Sequence, residues 1–296
     1  MSFESEASHW RNNLKAAMLV MLMALVMVIN DVLMKQVLKD MPIFQSLLIR
    51  GMILTPLIFS LLYWRGELGT PTTRRDKIII FARCICEAVL SYTILVALAY
   101  MPLANVIIIL QAVPFAMTIA AAIYLKEDVR WRRWLSVIAG FIGVLIIIRP
   151  GTDGFSAYSL YAVIAVFIFV IRDMLVRKLP KSISSTFIAA PMVVAVMMTG
   201  AVMTPFTGWI EVTLWHILGL TGAGIMITSS YLLSIMIMRL GDVSFVSPFR
   251  YSGIIWAIIA GLVFFGEVPD VSTLMGAAII MAAGIYALHR ERLSRQ

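Results

Sequence analysis

Asp31, Glu87 and Asp173, together with Arg50, Arg83, Arg172 and Arg250, are ionisable residues set inside long apolar runs. Such groups are costly in hydrocarbon, so each marks a place where polar chemistry occurs or where charges neutralise one another. Asn30 and Asp31 are followed by Lys35, and Arg172 and Asp173 are followed by Arg177. In both sets the base stands four positions after the aspartate and shares its helix face. The spacing allows proton acceptance, a gate, or a self-neutralising pair whose long side chain reaches water. Arg50, in LLIRGMILTPLIF, has no acid near it in sequence. A guanidinium there needs a carboxylate, backbone carbonyls or a ligand, and its planar fork suits carboxylates, phosphates and ring carbonyls. Arg83 and Glu87 stand four apart and can satisfy each other; Glu87 also qualifies as a proton-coupling acid. Pro248-Phe249-Arg250-Tyr251 and Gln111-Ala112-Val113-Pro114 interrupt two further runs. Proline frees a backbone carbonyl, and half-helix ends of this kind face ligands at membrane depth.

These residues fall into two groups. Arg50, Tyr92, Gln111, Arg250 and Tyr251 are expected to bind a substrate, with Trp256 and Tyr231 as further rings for stacking. Asn30, Asp31, Glu87, Arg172 and Asp173 are expected to gate the path or couple it to protons. No metal site and no cofactor are expected. Cys84 and Cys86, the only cysteines, diverge by roughly 200° around a helix, and no third ligand is evident. No disulfide framework follows from them. An intramembrane enzyme would need a nucleophile, base or metal set at membrane depth. His9 and His289 flank the apolar runs, His216 starts one, and no Gly-x-Ser-x-Gly or His-Glu-x-x-His string occurs. No Walker loop supports direct ATP drive.

The elements that must position these groups are membrane helices. Of 296 residues, 61% are hydrophobic and 14% charged, well below the quarter typical of soluble domains. Ten apolar spans are expected, near Lys15–Lys35, Pro42–Trp64, Ile78–Tyr100, Ala104–Leu125, Trp131–Ile148, Ala157–Val176, Ser184–Pro205, Leu214–Met238, Val243–Phe265 and Ser272–Leu288. Each has roughly the 20 residues a helix needs to cross the hydrocarbon. Barrel strands would alternate instead over about ten residues. The first run is too long for a cleavable signal and no small-residue cleavage site follows it. No extramembrane domain of the kind a receptor or scaffold carries is expected, the longest loop being near Trp64–Lys77.

The net charge of +8 has a membrane cause and does not imply nucleic acid. With a cytoplasmic N-terminus, seventeen lysines and arginines fall on the inner side and three, Lys35, Lys39 and Arg149, on the outer side. That bias places both termini in the cytoplasm.

Val28-Ile29-Asn30-Asp31 is echoed by Val170-Ile171-Arg172-Asp173, 142 residues later. Ala120–Glu127 is echoed by Ala260–Glu267, 140 residues later. Two features at nearly one offset indicate repeats at residues 1–150 and 151–296. Five spans per repeat is an odd number, so the halves cross the membrane in opposite directions, an architecture of secondary transporters. The fifth and tenth spans have small faces at Ala139, Gly140, Gly143 and at Gly276, Ala277, Ala283, Gly284. Small faces favour close packing, and these spans are expected at the periphery, as the seam of a homodimer.

The chain resembles the drug/metabolite transporter superfamily in its EamA branch. The resemblance rests on Ala97–Asn105, Gln111–Pro114, Leu125-Lys126-Glu127 and Gly140 with Gly143, and on Phe265-Gly266-Glu267 with Gly276 and Gly284. Ser136, standing where the second half has Gly276, departs from it. It implies an all-α protein of ten transmembrane helices in two inverted five-helix repeats. It also implies a carrier of a small-molecule substrate in the bacterial cytoplasmic membrane, working by alternating access. Within the branch, the S-adenosylmethionine and riboflavin uptake carriers are the groups resembled. The balance of buried arginines over buried acids favours a riboflavin-like or anionic metabolite. S-adenosylmethionine uptake, or export of amino acids or drugs, is the alternative.

Overall fold

The computed structural model describes residues 3–124, 126, 131–152, 155–180, 182–240 and 243–295. Among these, every regular element is helical: α1 (Phe3–Val37), α2 (Ile43–Trp64), α3 (Arg74–Tyr100), α4 (Leu103–Leu110), α5 (Val113–Tyr124), α6 (Trp131–Ile148), α7 (Ser159–Val176), α8 (Ser185–Thr207), α9 (Leu214–Leu240), α10 (Val243–Val246), α11 (Ser252–Phe265) and α12 (Val271–Arg295), with a 3-10 segment at Ser247–Tyr251. Joined across their breaks, α4 with α5 and α10 with α11, these are the ten rods expected from the apolar runs. Among the described residues, eight stretches are long and apolar enough to cross a bilayer, and Val271–Ala287 of α12 is a shorter apolar one. The fold is all-α and polytopic. Glu127, part of the repeated ending, lies outside the described residues.

Local chemistry sets the helix ends. Pro42 and Pro102 precede α2 and α4, where a missing N–H costs nothing. Ser184 caps α8 by accepting from the Phe187 N–H at 3.1 Å, and Asp270 caps α12 by accepting from the Thr273 N–H at 2.7 Å. Gly266 closes α11 at φ 67°, a left-handed conformation that glycine adopts without strain.

Two compact units are interleaved along the chain. One comprises Met1–Val32, Met101–Ser159 and Ile225–Gln296; the other comprises Leu33–Tyr100 and Leu160–Gly224. We call them unit 1 and unit 2. In unit 2, α2 lies along α8, and the contact is glycine-lined from both sides. A Cβ on Gly51 would strike Met197, and one on Gly200 would meet the Phe44 carbonyl at 2.7 Å. In unit 1, α6 lies along α12 in the same reciprocal way. A Cβ on Gly276 would meet the Gly143 carbonyl at 2.7 Å, and one on Gly143 would meet the Gly276 carbonyl at 3.0 Å. The small faces of these two helices therefore pack on each other within one chain. α4 packs on α11. Each of these three pairs joins rods five apart in the order of spans.

Loop hydrogen bonds fix the path of the chain. In unit 2, Gln45 is fully buried and bonds the backbone of Ile210 twice, at 2.8 and 3.0 Å. Arg65 donates to Thr186 at 3.1 Å and Ser184 to Glu67 at 2.6 Å. In unit 1, Glu267 accepts from the Leu103 N–H at 2.7 Å, Thr273 donates to Asn105 at 2.9 Å, and Arg149 pairs with Asp270. A strictly alternating ten-span path puts the members of every one of these pairs on the same side of the membrane. Phe81, Ile123, Leu145, Phe167 and Val202 are at least half exposed, as lipid-facing residues are.

Candidate functional site

The charged residues of unit 2 gather where α3 meets α7. Arg172 donates from Nη1 to Glu87 at 3.2 Å and from Nε to Asp173 at 3.1 Å. Its guanidinium also sits 3.9 Å from the Phe169 ring centroid, a cation–π contact. Arg83 lies 3.9 Å from the Asp173 carboxylate and donates to the Arg172 carbonyl at 3.0 Å. That carbonyl belongs to the last turns of α7, where a cation is favoured by the helix dipole. Arg83 Nε completes the group with a 3.3 Å contact to the Met192 sulfur on α8. Two arginines and two acids thus form one network of zero formal charge.

This arrangement corrects the pairing expected from spacing. Glu87 pairs with Arg172 of α7 rather than with Arg83 four positions before it. Asp173 pairs with Arg172 and Arg83, while Arg177 is exposed and shares only its backbone N–H with Asp173. Arg172 holds its own neighbour Asp173 and reaches across to Glu87, and Arg83 approaches Asp173 from α3, so each buried charge meets an opposite one on the adjoining helix.

The aromatic part of unit 2 centres on Tyr92. Its ring stacks on Phe44, with centroids 5.2 Å apart and planes 8° from parallel, and meets Tyr161 edge-on at 6.3 Å. Arg50 is half-buried on α2.

In unit 1 the two helix breaks come together. α4 stops at Gln111, whose N–H reaches back to the Ile107 and Ile108 carbonyls, and α5 restarts at Val113. The second break is the 3-10 segment carrying Pro248, Arg250 and Tyr251. Gln111 Nε2 donates to the Arg250 carbonyl at 3.2 Å. The Arg250 side chain is exposed, and no carboxylate pairs with it among the described residues. Tyr251 is buried, with its ring pressed against Gly284 of α12. On α1, Asn30 donates to Asp31 at 2.9 Å.

The structure therefore brings Glu87, Arg172 and Asp173 into one cluster, and Gln111, Arg250 and Tyr251 into another. The side chain of Tyr231 lies outside the described residues. Sequence reasoning did not anticipate Met192, Phe44, Tyr161 or Gly284 as partners. Apolar and aromatic residues carry no polar signal, and only the choice of neighbouring helix assigns them. Among the described residues no group of histidine, cysteine and carboxylates could hold a metal.

The profile of the EamA-like transporter family matches twice, over residues 14–149 and 156–288. An S-adenosylmethionine uptake transporter of Rickettsia felis is 27% identical over 269 residues, covering 89% of this chain and 88% of its own. A riboflavin transporter of Vibrio cholerae is 33% identical over 193 residues, 62% of either chain. One solved crystal structure superposes with a TM-score of 0.64 at 16% identity, over 94% of this chain and 99% of its own, which shows a shared fold. Ten helical rods, paired helix breaks and these matches converge: the chain belongs to the EamA-like transporter family and is a multi-pass metabolite transporter.

Proposed function

We propose that the protein is a secondary carrier of the bacterial cytoplasmic membrane for a small metabolite bearing a polar heteroaromatic ring, best matched by a riboflavin-like compound. The observation that carries this reading is Arg250, a guanidinium at a helix break with no carboxylate partner among the described residues. It suits ring carbonyls or an anionic group. The four-residue cluster of unit 2 has no net charge and gives a cation no advantage by simple attraction. Within unit 2, Tyr92, stacked on Phe44, offers a ring for stacking, and Arg50 is the substrate-binding cation of that unit. Asn30, Asp31, Glu87, Arg172 and Asp173 serve as gate or proton-coupling residues.

Residues 1–150 and 151–296 act as two inverted repeats that rock about the site, exposing it to each side in turn. The basic loops put both termini in the cytoplasm. A homodimer through α6 and α12 would use their outward faces, where Leu135, Ile138, Leu274 and Met275 are exposed.

A second reading, S-adenosylmethionine uptake, is favoured by relatives of that name that align over most of this chain. A thermal-shift screen of the purified protein against flavins, S-adenosylmethionine, amino acids and organic anions separates the readings. Ligand binding raises the melting temperature by mass action. Stabilisation by a flavin supports the first, and stabilisation by S-adenosylmethionine alone supports the second. If Arg50→Ala and Arg250→Ala both leave uptake into vesicles unchanged, the site assignment is wrong.

A further inference from the structure

Ser252 and Trp256 stand one turn apart at the start of α11, directly after the 3-10 segment. Four positions apart, they share a helix face. Ser252 Oγ and Trp256 Nε1 are both buried and have no hydrogen-bond partner among the described residues. Buried polar atoms are nearly always partnered, and an orphan destabilises the fold that contains it. Two orphans on one face of one helix, beside a break, call for a common cause.

The first half of the chain shows that the fold does not need them. α4 begins at Leu103 and α10 at Val243, 140 residues apart, the offset that also separates Glu127 from Glu267. At that offset Ser252 falls on Ala112 and Trp256 on Ala116. Both alanines are buried, at 2% and 4% exposure, beside the first break. A break and a following half-helix therefore form with methyl groups at both places. The second half alone carries polar atoms there.

We propose that Ser252 and Trp256 hydrogen-bond the transported metabolite. The Trp256 indole donates to a ring nitrogen or carbonyl oxygen. The Ser252 hydroxyl meets an N–H or a second acceptor on the same edge. The ligand class is a nitrogen heterocycle with hydrogen-bonding atoms side by side on its rim, a property that flavins share with adenine. The proposal rests on the reading of the second break as substrate-facing.

Trp256→Phe and Ser252→Ala each remove one polar atom and keep most of the shape. Melting temperature and the affinities for riboflavin and S-adenosylmethionine are measured on the purified wild type and both variants. Loss of an orphan leaves the melting temperature unchanged or raises it, while loss of a ligand bond weakens affinity for the bound probe about threefold to tenfold. The probe that shows the loss names the source of the heterocycle. Unchanged affinity in both variants overturns the proposal alone and leaves the carrier reading standing. So does a fall in melting temperature that tracks the fall in affinity, which marks a structural role. Should Trp256→Phe fail to fold, Ser252→Ala, the smaller change, decides by the same criteria. If the wild type binds neither probe, the heteroaromatic reading falls and this proposal falls with it.

Discussion

Gln111 Nε2 donates to the Arg250 carbonyl, and so one side chain ties the break between α4 and α5 to the break before α11. The Arg250 carbonyl, which also accepts from a backbone N–H at the C-terminal cap of the 3-10 segment, has a second lone pair that takes the Gln111 amide. The two interruptions are thus one structural feature, with Gln111 as its link.

Replacing Gln111 by Ala removes that link. A neutral hydrogen bond is worth about 0.5–1.5 kcal/mol, so thermal unfolding in detergent should begin a few degrees lower. Gln111→Glu should cost more, because a carboxylate facing a carbonyl oxygen replaces attraction with repulsion. Equal melting temperatures for all three proteins would show that the bond adds nothing.

Gly284→Ala should destabilise the protein by about 1–3 kcal/mol, the usual cost of overpacking. A methyl group there would occupy the space of the Tyr251 phenol. The effect should largely disappear in a Tyr251→Ala background, where the ring is gone. Additive losses in the double variant, measured by thermal unfolding, would place the strain elsewhere.

Glu87 and Arg172 form an ion pair at 3.2 Å with both side chains largely buried. Arg172→Gln leaves Glu87 buried and unpaired, and should cost about 3–5 kcal/mol. Glu87→Gln with Arg172→Gln should be less damaging than Arg172→Gln alone, since both charges leave together. A double-mutant cycle reads this as a coupling of about 0.5–3 kcal/mol. A coupling near zero would mean that Asp173, the other acceptor of Arg172, supplies all of its stabilisation.

Asp270 gives a pH signature. Burial raises its carboxyl pKa, but hydrogen bonds from the Thr273 backbone and side chain and from Arg149 outweigh it and hold the group below its ordinary 3.8. A depressed folded-state pKa contributes stability that is present above the unfolded value and is lost as pH falls through the folded value. Asp270→Asn keeps an acceptor for the Thr273 N–H and deletes the charge. Between pH 6 and pH 3 its melting temperature should fall less steeply than that of the wild type. Parallel curves would mean that Asp270 titrates alike in the folded and unfolded chains.

The membrane class was legible because hydropathy is additive along the chain. Ten apolar runs became ten helical rods, since a backbone in hydrocarbon must satisfy its hydrogen bonds within the segment. The prolines and the polar residues beside them marked both breaks, although the first falls at Gln111-Ala112, just ahead of Pro114. Buried charges marked which residues needed partners. Their spacing suggested partners four positions away, and that suggestion failed for Glu87 and Asp173.

What the sequence determined by itself is therefore everything that depends on local cost: which segments leave water, where a helix must break, and which charges cannot stay alone. What only the tertiary structure decided is who meets whom. Arg172 reaching across to Glu87, Tyr92 stacking on Phe44, Tyr251 lying on Gly284 and Gln111 joining the two breaks all depend on helix neighbours. Helix pairing in a bilayer is driven by close packing at small residues, because apolar side chains gain little by leaving lipid. A glycine such as Gly51 or Gly276 shows that some helix comes close, and the three-dimensional fit selects which one.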